Sequence, residues 1–148
     1  MTMGKGAVIS VSKKQKLNTR SSTEAELVAV DDFMPVMLWT KLFLETQGHQ
    51  IDANILHQDN KSAILLEKNG RASSSKRTRH LNIRHFFVTD QVAKGNLKIQ
   101  FCSTDDMIAD FQTKPTTGAK FQEFRAQIMG QSPIKINSSQ CEDTGDQK

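Results

Sequence analysis

The sequence predicts a fold of the α/β class. Two short apolar runs, Asp52 to Gln58 and Leu97 to Cys102, have the length and composition of β-strands, and each is followed by a helix-start signal. A longer segment, which starts at the helix-start signature Ser21 to Glu26 and runs to about Thr46, has the apolar stripe of an amphipathic helix. The 148 residues are within the size of one compact domain. We therefore expect a domain over residues 5–130, preceded by a short extension (1–4) and followed by a disordered polar tail (131–148).

The N-terminal region alternates apolar and polar residues. Gly6 to Ser12 is rich in β-branched side chains, and Leu17 to Arg20 follows it after a basic, polar turn. This pattern predicts two short strands joined as a hairpin.

The long helix begins with hydroxyl residues followed by acids, which favour the positive end of the helix dipole. Its expected stripe consists of Leu27, Val30, Met34, Leu38 and Leu42, with a bend at Pro35 and a stop at Gly48. Glu26 has two interpretations here. It forms a capping box with Thr23, or, because Ser21 and Glu24 offer the same spacing, it is available as a metal ligand.

Asp59 directly follows the strand that ends at Gln58 and precedes an expected helix, Asn60 to Glu67. Open α/β sheets keep functional groups at the carboxyl ends of their strands. Aspartate is also a common helix cap. Both interpretations of Asp59 remain open at this point.

A late segment carries two further acids. Ser103 or Thr104 is expected to cap a short helix that contains Asp106 and Asp110 on one face. Two carboxylates on one face repel each other unless a cation lies beside them. Asp106 is a first-turn acid, whereas Asp110 lies farther along. Glu26, Asp59 and Asp110 together would supply three carboxylates for a divalent-metal site, with Asp106 as a further candidate.

A basic block follows the second helix. Between Lys61 and His85 the only acid is Glu67, and the chain carries a net charge of +4 with a pI near 9.2. Such a block suits the phosphates of a nucleic acid, although a solvated charged face is the alternative. The candidate binding residues are Lys61, Arg71, Lys76, Arg77, Arg79, His80 and Arg84.

Other classes of site find little support. Cys102 and Cys141 form neither a disulfide framework nor, with His80 and His85, a recognised zinc spacing. The sequence has no signal peptide and no apolar run of about 20 residues, so we expect an intracellular protein without a membrane span. A cytoplasmic particle and the nucleus both remain open.

Four segments resemble, in order, the motifs of the ribonuclease H region in copia-type long-terminal-repeat retrotransposon Pol polyproteins. These segments are Ser21 to Glu26, Gln58 to Ala63, Lys76 to Arg84 and Ile108 to Pro115. The resemblance implies a mixed sheet flanked by helices, and hydrolysis of the RNA strand of an RNA/DNA hybrid with two Mg²⁺ or Mn²⁺ ions. It also implies that Glu26, Asp59 and Asp110 hold the metal ions and that the basic block holds the hybrid.

The chain departs from this family at its start. The family's first strand, which carries another catalytic aspartate, would precede Met1. Asp31 and Asp32 lie off the face of Glu26 and are poor substitutes, which leaves Asp106 as a helper. We therefore expect a fragment or degenerate copy whose activity is impaired, with the remainder of the Pol polyprotein, including its reverse transcriptase, as the partner that supplies the missing strand.

Two alternatives differ in mechanism. A non-catalytic nucleic-acid-binding remnant would use the basic block alone. An integrase-like relative would also gather acids around two metals, but the chain has no zinc-binding His/Cys pairs of the kind that accompany integrases, and its motif order favours ribonuclease H.

Overall fold

A computed structural model describes residues 1–69 and 82–135. The order of elements is α1 (Ser22–Thr46), β1 (Ile55–Gln58), α2 (Lys61–Asn69), α3 (Asn82–Ala93), β2 (Lys98–Phe101), α4 (Asp110–Thr113) and α5 (Gly118–Ile128). This order confirms the predicted α/β class. The chain divides into two compact units, one made of residues 15–101 and the other of residues 1–14 and 102–148.

The sheet of the first unit consists of β1 and β2, which pair in parallel with Leu56 opposite Ile99 and Gln58 opposite Phe101. Both predicted strands are confirmed, although each is shorter than expected. Ile99 is buried and its neighbour Lys98 is exposed, as alternation along a strand requires. The pairing brings the ends of β1 and β2 together at one edge of the sheet.

Helix α1 has the bounds predicted for it and continues through Pro35. Leu27, Val30 and Met34 are buried as expected, but the predicted stripe is wrong at its end, because Leu42 is 63% exposed while Met37 is buried. The predicted steps of four residues exceed the helical repeat of 3.6, and the buried residues in this part of the helix, Met34, Met37 and Thr40, are three apart. The helix ends as predicted, with Gly48 at a φ of 88° and the N–H of His49 bonded to the carbonyl of Leu44 at 3.0 Å.

Helix α2 is the central element of this unit, since it contacts α1, α3 and both strands. Its inner face carries Ala63 and Glu67, both fully buried. Val88 of α3 and Leu97 next to β2 complete the surrounding apolar core. A fully buried ionisable side chain, that of Glu67, therefore lies on the inner face of this helix.

The predicted N-terminal hairpin is wrong in the described structure. The backbone N–H of Ala7 donates to the carbonyl of Ile128 at 2.8 Å, and that of Val8 donates to Met1 at 2.9 Å. An isolated bridge between Thr2 and Ala7 is the β-pairing recorded in this segment. A β-branched run forms a strand only where a partner strand is available, and here its hydrogen bonds go to other parts of the same unit.

Two glycines approach closely in the second unit. Gly6 has a φ of +75°, and a Cβ on it would lie 3.0 Å from both the Gly130 nitrogen and the Ile128 carbonyl oxygen. Phe111 stacks on Phe121 with ring centroids 5.2 Å apart. None of the helices in the described part of the chain combines the length and apolar character that a membrane span requires.

Candidate functional site

The turn after β1 is held by the side chain of Gln58, which is 3% exposed. Its Oε1 atom accepts hydrogen bonds from the backbone N–H of Asp59 at 3.0 Å and of Asn60 at 3.3 Å. Asn60 then caps α2, because its Oδ1 atom accepts from the N–H groups of Ser62 at 3.0 Å and Ala63 at 3.2 Å. Asp59 therefore lies half-buried at the carboxyl end of a strand, and the alternative that it caps α2 is wrong.

The start of α1 is capped by Ser21, whose Oγ accepts from the N–H of Glu24 at 3.2 Å. The Glu24 carboxylate in turn accepts from the N–H of Arg20 at 2.7 Å. Ser21 is therefore the cap, Glu24 accepts from the residue before it, and Thr23 lies inside the helix rather than at its cap. Glu26 is half-buried, and helix capping does not account for it.

Glu67 lies close to both of these elements. Burial raises its pKa from 4.5 to about 7, the side chain of Gln58 opposes this rise, and the charge of Glu26 adds to it. Neither carboxylate oxygen of Glu67 makes a hydrogen bond of good geometry with the described residues. The pKa of this buried acid on α2 thus responds to Gln58, which ends β1, and to Glu26 of α1.

Sequence reasoning missed Gln58 and Glu67. One signal was present: Glu67 follows Ala63 and Ile64 at the spacings of four and three that place residues on one helical face. No sequence pattern indicated that the Gln58 side chain would accept hydrogen bonds from the backbone of Asp59 and Asn60, because these bonds depend on the conformation of the turn after β1.

Lys61 begins α2 next to this turn, and it is exposed. Its Nζ atom lies 4.9 Å from the centre of the Phe101 ring, which closes β2. This contact places a cation at the carboxyl end of β2, two residues along the chain from Asp59. Among the other residues predicted to contact a nucleic acid, the backbone of Arg84 belongs to α3. Arg71, Lys76, Arg77, Arg79 and His80 lie outside the described residues.

In the second unit, the predicted helix around Asp105 to Asp110 is wrong. The N–H of Asp106 donates to Ser103 at 2.9 Å, and that of Asp110 donates to Met107 at 3.1 Å, so tight turns precede α4. Asp106 and Asp110 therefore do not share a helical face. Asp110 instead begins α4, where the helix dipole alone favours an acid, and its carboxylate pairs with Lys114 at 2.6 Å.

The described residues contain no group of three or more His, Cys, Asp or Glu side chains placed to hold a metal ion. The predicted metal centre therefore stays a prediction. The donor chemistry fits Mg²⁺ or Mn²⁺, which prefer carboxylate oxygens. The carboxylate of Glu26 is also close enough to that of Glu67 to raise its pKa, and crowded negative charge of this kind suits a cation.

The sequence is similar to three polyproteins of plant transposons. It is 34% identical over 121 residues to the retrovirus-related Pol polyprotein from transposon TNT 1-94 of Nicotiana tabacum. The aligned residues make up 82% of this chain and 9% of the relative. It is 36% identical over 118 residues to the corresponding polyproteins from transposons RE1 and RE2 of Arabidopsis thaliana, covering 79% of this chain and 8% of each relative. The chain thus spans less than a tenth of these relatives. No family model matches it, and no solved structure does.

Proposed function

Because its homologues are retrovirus-related Pol polyproteins of plant transposons, we propose that the chain is the ribonuclease H region of such a polyprotein, of the copia type. Its reaction would be hydrolysis of the RNA strand of an RNA/DNA hybrid. The observation that carries the proposal is the placement of Glu26 and Asp59. Ser21 and Asn60 make the capping hydrogen bonds at these two helix starts, so capping explains neither acid.

In this proposal Glu26 and Asp59 hold Mg²⁺ or Mn²⁺, and the resemblance adds Asp110 as a third ligand with Asp106 as a helper. The bound ions would activate water and stabilise the leaving oxygen of the phosphodiester. The Gln58 side chain fixes the backbone that carries Asp59. Lys61, exposed beside the turn, would contact a phosphate of the hybrid.

A cleavage assay tests this function. We would compare the chain alone with the chain preceded by the adjoining upstream segment of the tobacco relative, which by resemblance carries the further aspartate. With Mg²⁺ and a labelled hybrid, we expect the chain alone to cut little and the extended chain to cut the RNA strand. Asp59→Asn and Glu26→Gln should each abolish cutting, whereas Asp52→Asn, an exposed acid before the same strand, should not.

Failure of the extended chain to cut, or equal cutting by Asp59→Asn, would overturn the nuclease proposal. One observation favours the second candidate, a non-catalytic nucleic-acid-binding remnant: the Asp110 carboxylate is already paired with Lys114 at 2.6 Å. For that candidate we expect binding of the hybrid that falls steeply with salt and is unchanged by Asp59→Asn or by removal of Mg²⁺.

A further inference from the structure

We propose that the exposed cations of the segment from Gln15 to Arg20, with the two lysines that directly precede it, bind the phosphates of a nucleic-acid strand. Lys16 and Arg20 are the contacts that the segment itself supplies. It is separate from the later basic block that was predicted to contact the hybrid. The choice of a nucleic acid as the ligand rests on the proposed function, but binding does not require cleavage.

The first 23 residues of the sequence carry positive charge only. Their cations are Lys5, Lys13, Lys14, Lys16 and Arg20. The last four of these are all exposed. With the residues that the structure describes, none of their side chains forms an ion pair. Positive charge without neighbouring acids attracts anionic partners to this part of the surface.

Two hydrogen bonds hold the segment against the start of α1. The Nε2 atom of Gln15 donates to the carbonyl of Ala25 at 2.5 Å. The backbone N–H of Arg20 donates to the carboxylate of Glu24 at 2.7 Å. Gln15 is half-buried, whereas its neighbour Lys16 is exposed. Because the segment is held at both ends, less freedom is lost when its cations bind a ligand than would be lost by an unattached chain.

The same contacts place the segment beside the proposed metal ligand of α1. Ala25, which accepts from Gln15, directly precedes Glu26 in the helix. Lys16 is one residue along the chain from this contact. A strand whose phosphodiester reaches Glu26 would therefore pass these cations. Contacts with its phosphates would fix the position of the strand without reading its bases.

A solvated surface without a ligand is the alternative. Single exposed lysines are common on proteins and need no partner. Here, however, Lys13, Lys14, Lys16 and Arg20 follow one another within eight residues. Like charges that are held close together repel each other and destabilise the folded state, and a bound anion removes this repulsion. The arrangement therefore favours a polyanionic ligand.

Binding of a labelled RNA/DNA hybrid by the full chain, followed by fluorescence anisotropy over a range of salt concentrations in metal-free buffer, tests this assignment. The test variant is Lys16→Gln with Arg20→Gln. The control is Lys94→Gln with Lys98→Gln, which removes the same charge from exposed positions in the same unit. Lys98 begins β2 opposite Ile55, at the end of the sheet away from Asp59.

The slope of the logarithm of affinity against the logarithm of salt concentration reports the number of phosphate contacts. We expect it to become shallower by about one in each single variant and by about two in the test variant. The affinity difference from the wild type should thus shrink roughly tenfold between about 50 and 200 mM salt. The control should keep the wild-type slope. An unchanged slope in the test variant, an equal change in the control, or no salt-dependent binding by the wild type would show that these cations are not phosphate contacts.

Cleavage and a second probe separate the possible explanations. If the extended chain does not cut but the test variant loses slope as expected, the nuclease proposal fails and the phosphate contacts stand. If the extended chain cuts and the test variant binds the hybrid as the wild type does, the contacts fail and the nuclease proposal stands. Vesicles that contain phosphatidylserine are the second probe. If the test variant loses binding to these vesicles alone, the ligand is a membrane surface and the assignment to a nucleic acid is wrong.

Discussion

The Oδ1 atom of Asn60 accepts a hydrogen bond from the backbone N–H of Ala63 at 3.2 Å. This contact makes Asn60 the cap of α2 and removes that task from Asp59, the acid beside it. The two neighbours should therefore behave differently when they are substituted. We expect Asn60→Ala to lower the free energy of unfolding by about 1 kcal/mol, as loss of a helix cap usually does. Asp59→Asn should change it by less than about 0.5 kcal/mol.

Urea unfolding followed by circular dichroism measures both values. If Asp59→Asn costs more stability than Asn60→Ala, then Asp59 supports the helix and the assignment of the cap is wrong.

The Ser21 cap of α1 makes a second prediction. The hydroxyl of Ser21 bonds the N–H of Glu24, so Ser21→Ala should lower the free energy of unfolding by about 1 kcal/mol. Thr23 is the matched control, because it has the same spacing to Glu26. Thr23→Ala should cost less than about 0.5 kcal/mol, since alanine is the better helix former. The reverse order of these two costs would show that Thr23 and Glu26 form the cap.

The stability of the protein should depend on pH through Glu67. Because the pKa of Glu67 is raised from 4.5 to about 7, the folded state holds its proton more tightly than the unfolded state does. The stabilisation is fully present below pH 4.5, is lost as the pH rises towards 7, and amounts to roughly 3 kcal/mol at most. The Glu67→Gln variant should lack this loss.

His57 contributes with the opposite sign, because burial lowers its pKa. The informative quantity is therefore the difference in unfolding free energy between the wild type and Glu67→Gln, measured from pH 4 to 8 in metal-free buffer. Glu123→Gln, on the exposed side of α5, controls for the loss of a carboxyl group. A difference that does not vary with pH would mean that Glu67 is not buried as the structure shows.

The contact between Gly6 and Gly130 predicts a local cost of adding one methyl group. In Gly6→Ala the new Cβ would lie 3.0 Å from backbone atoms of two residues, at a φ of +75°. We expect a loss of roughly 2 kcal/mol or more, from strain and from the forced backbone shift. Gly4→Ala is the control, because its φ is +98° but nothing lies within 4 Å.

Thermal unfolding should thus rank wild type, Gly4→Ala and Gly6→Ala in order of falling stability. Equal stability of the two variants would indicate that residues 6 and 130 are not in contact.

The sequence was informative where local rules decide the structure. The bounds of α1, the two strands and the glycine stops follow from hydroxyl caps, apolar periodicity and positive-φ positions, all of which act over a few residues. The predicted N-terminal hairpin failed because a strand needs a partner, and the N–H of Ala7 finds a carbonyl of Ile128 instead. No local pattern reports a pairing so distant in sequence.

In the candidate site, too, local sequence signals located some features, while others depended on three-dimensional packing. Asp59 was located by its position after a strand, which is a local signal. The choice between Asp59 and Asn60 as the cap depended on side-chain geometry, and the contribution of Glu67 depended on how α2 packs beside β1. For Asp110 the expected helix began later than the sequence suggested, which placed the residue beside Lys114. The metal role of Asp110 therefore rests on the resemblance alone.

The most direct test of the central claim, that Glu26 and Asp59 bind a shared divalent cation, is paramagnetic broadening by Mn²⁺ in NMR spectra of the labelled chain. We predict that substoichiometric Mn²⁺ broadens the backbone amides of Glu26, Asp59 and Asn60 before all others, that excess Mg²⁺ reverses this, and that Asp59→Asn removes it. Broadening that begins at other acids, such as Asp52 or Glu123, and persists in Asp59→Asn would contradict the account.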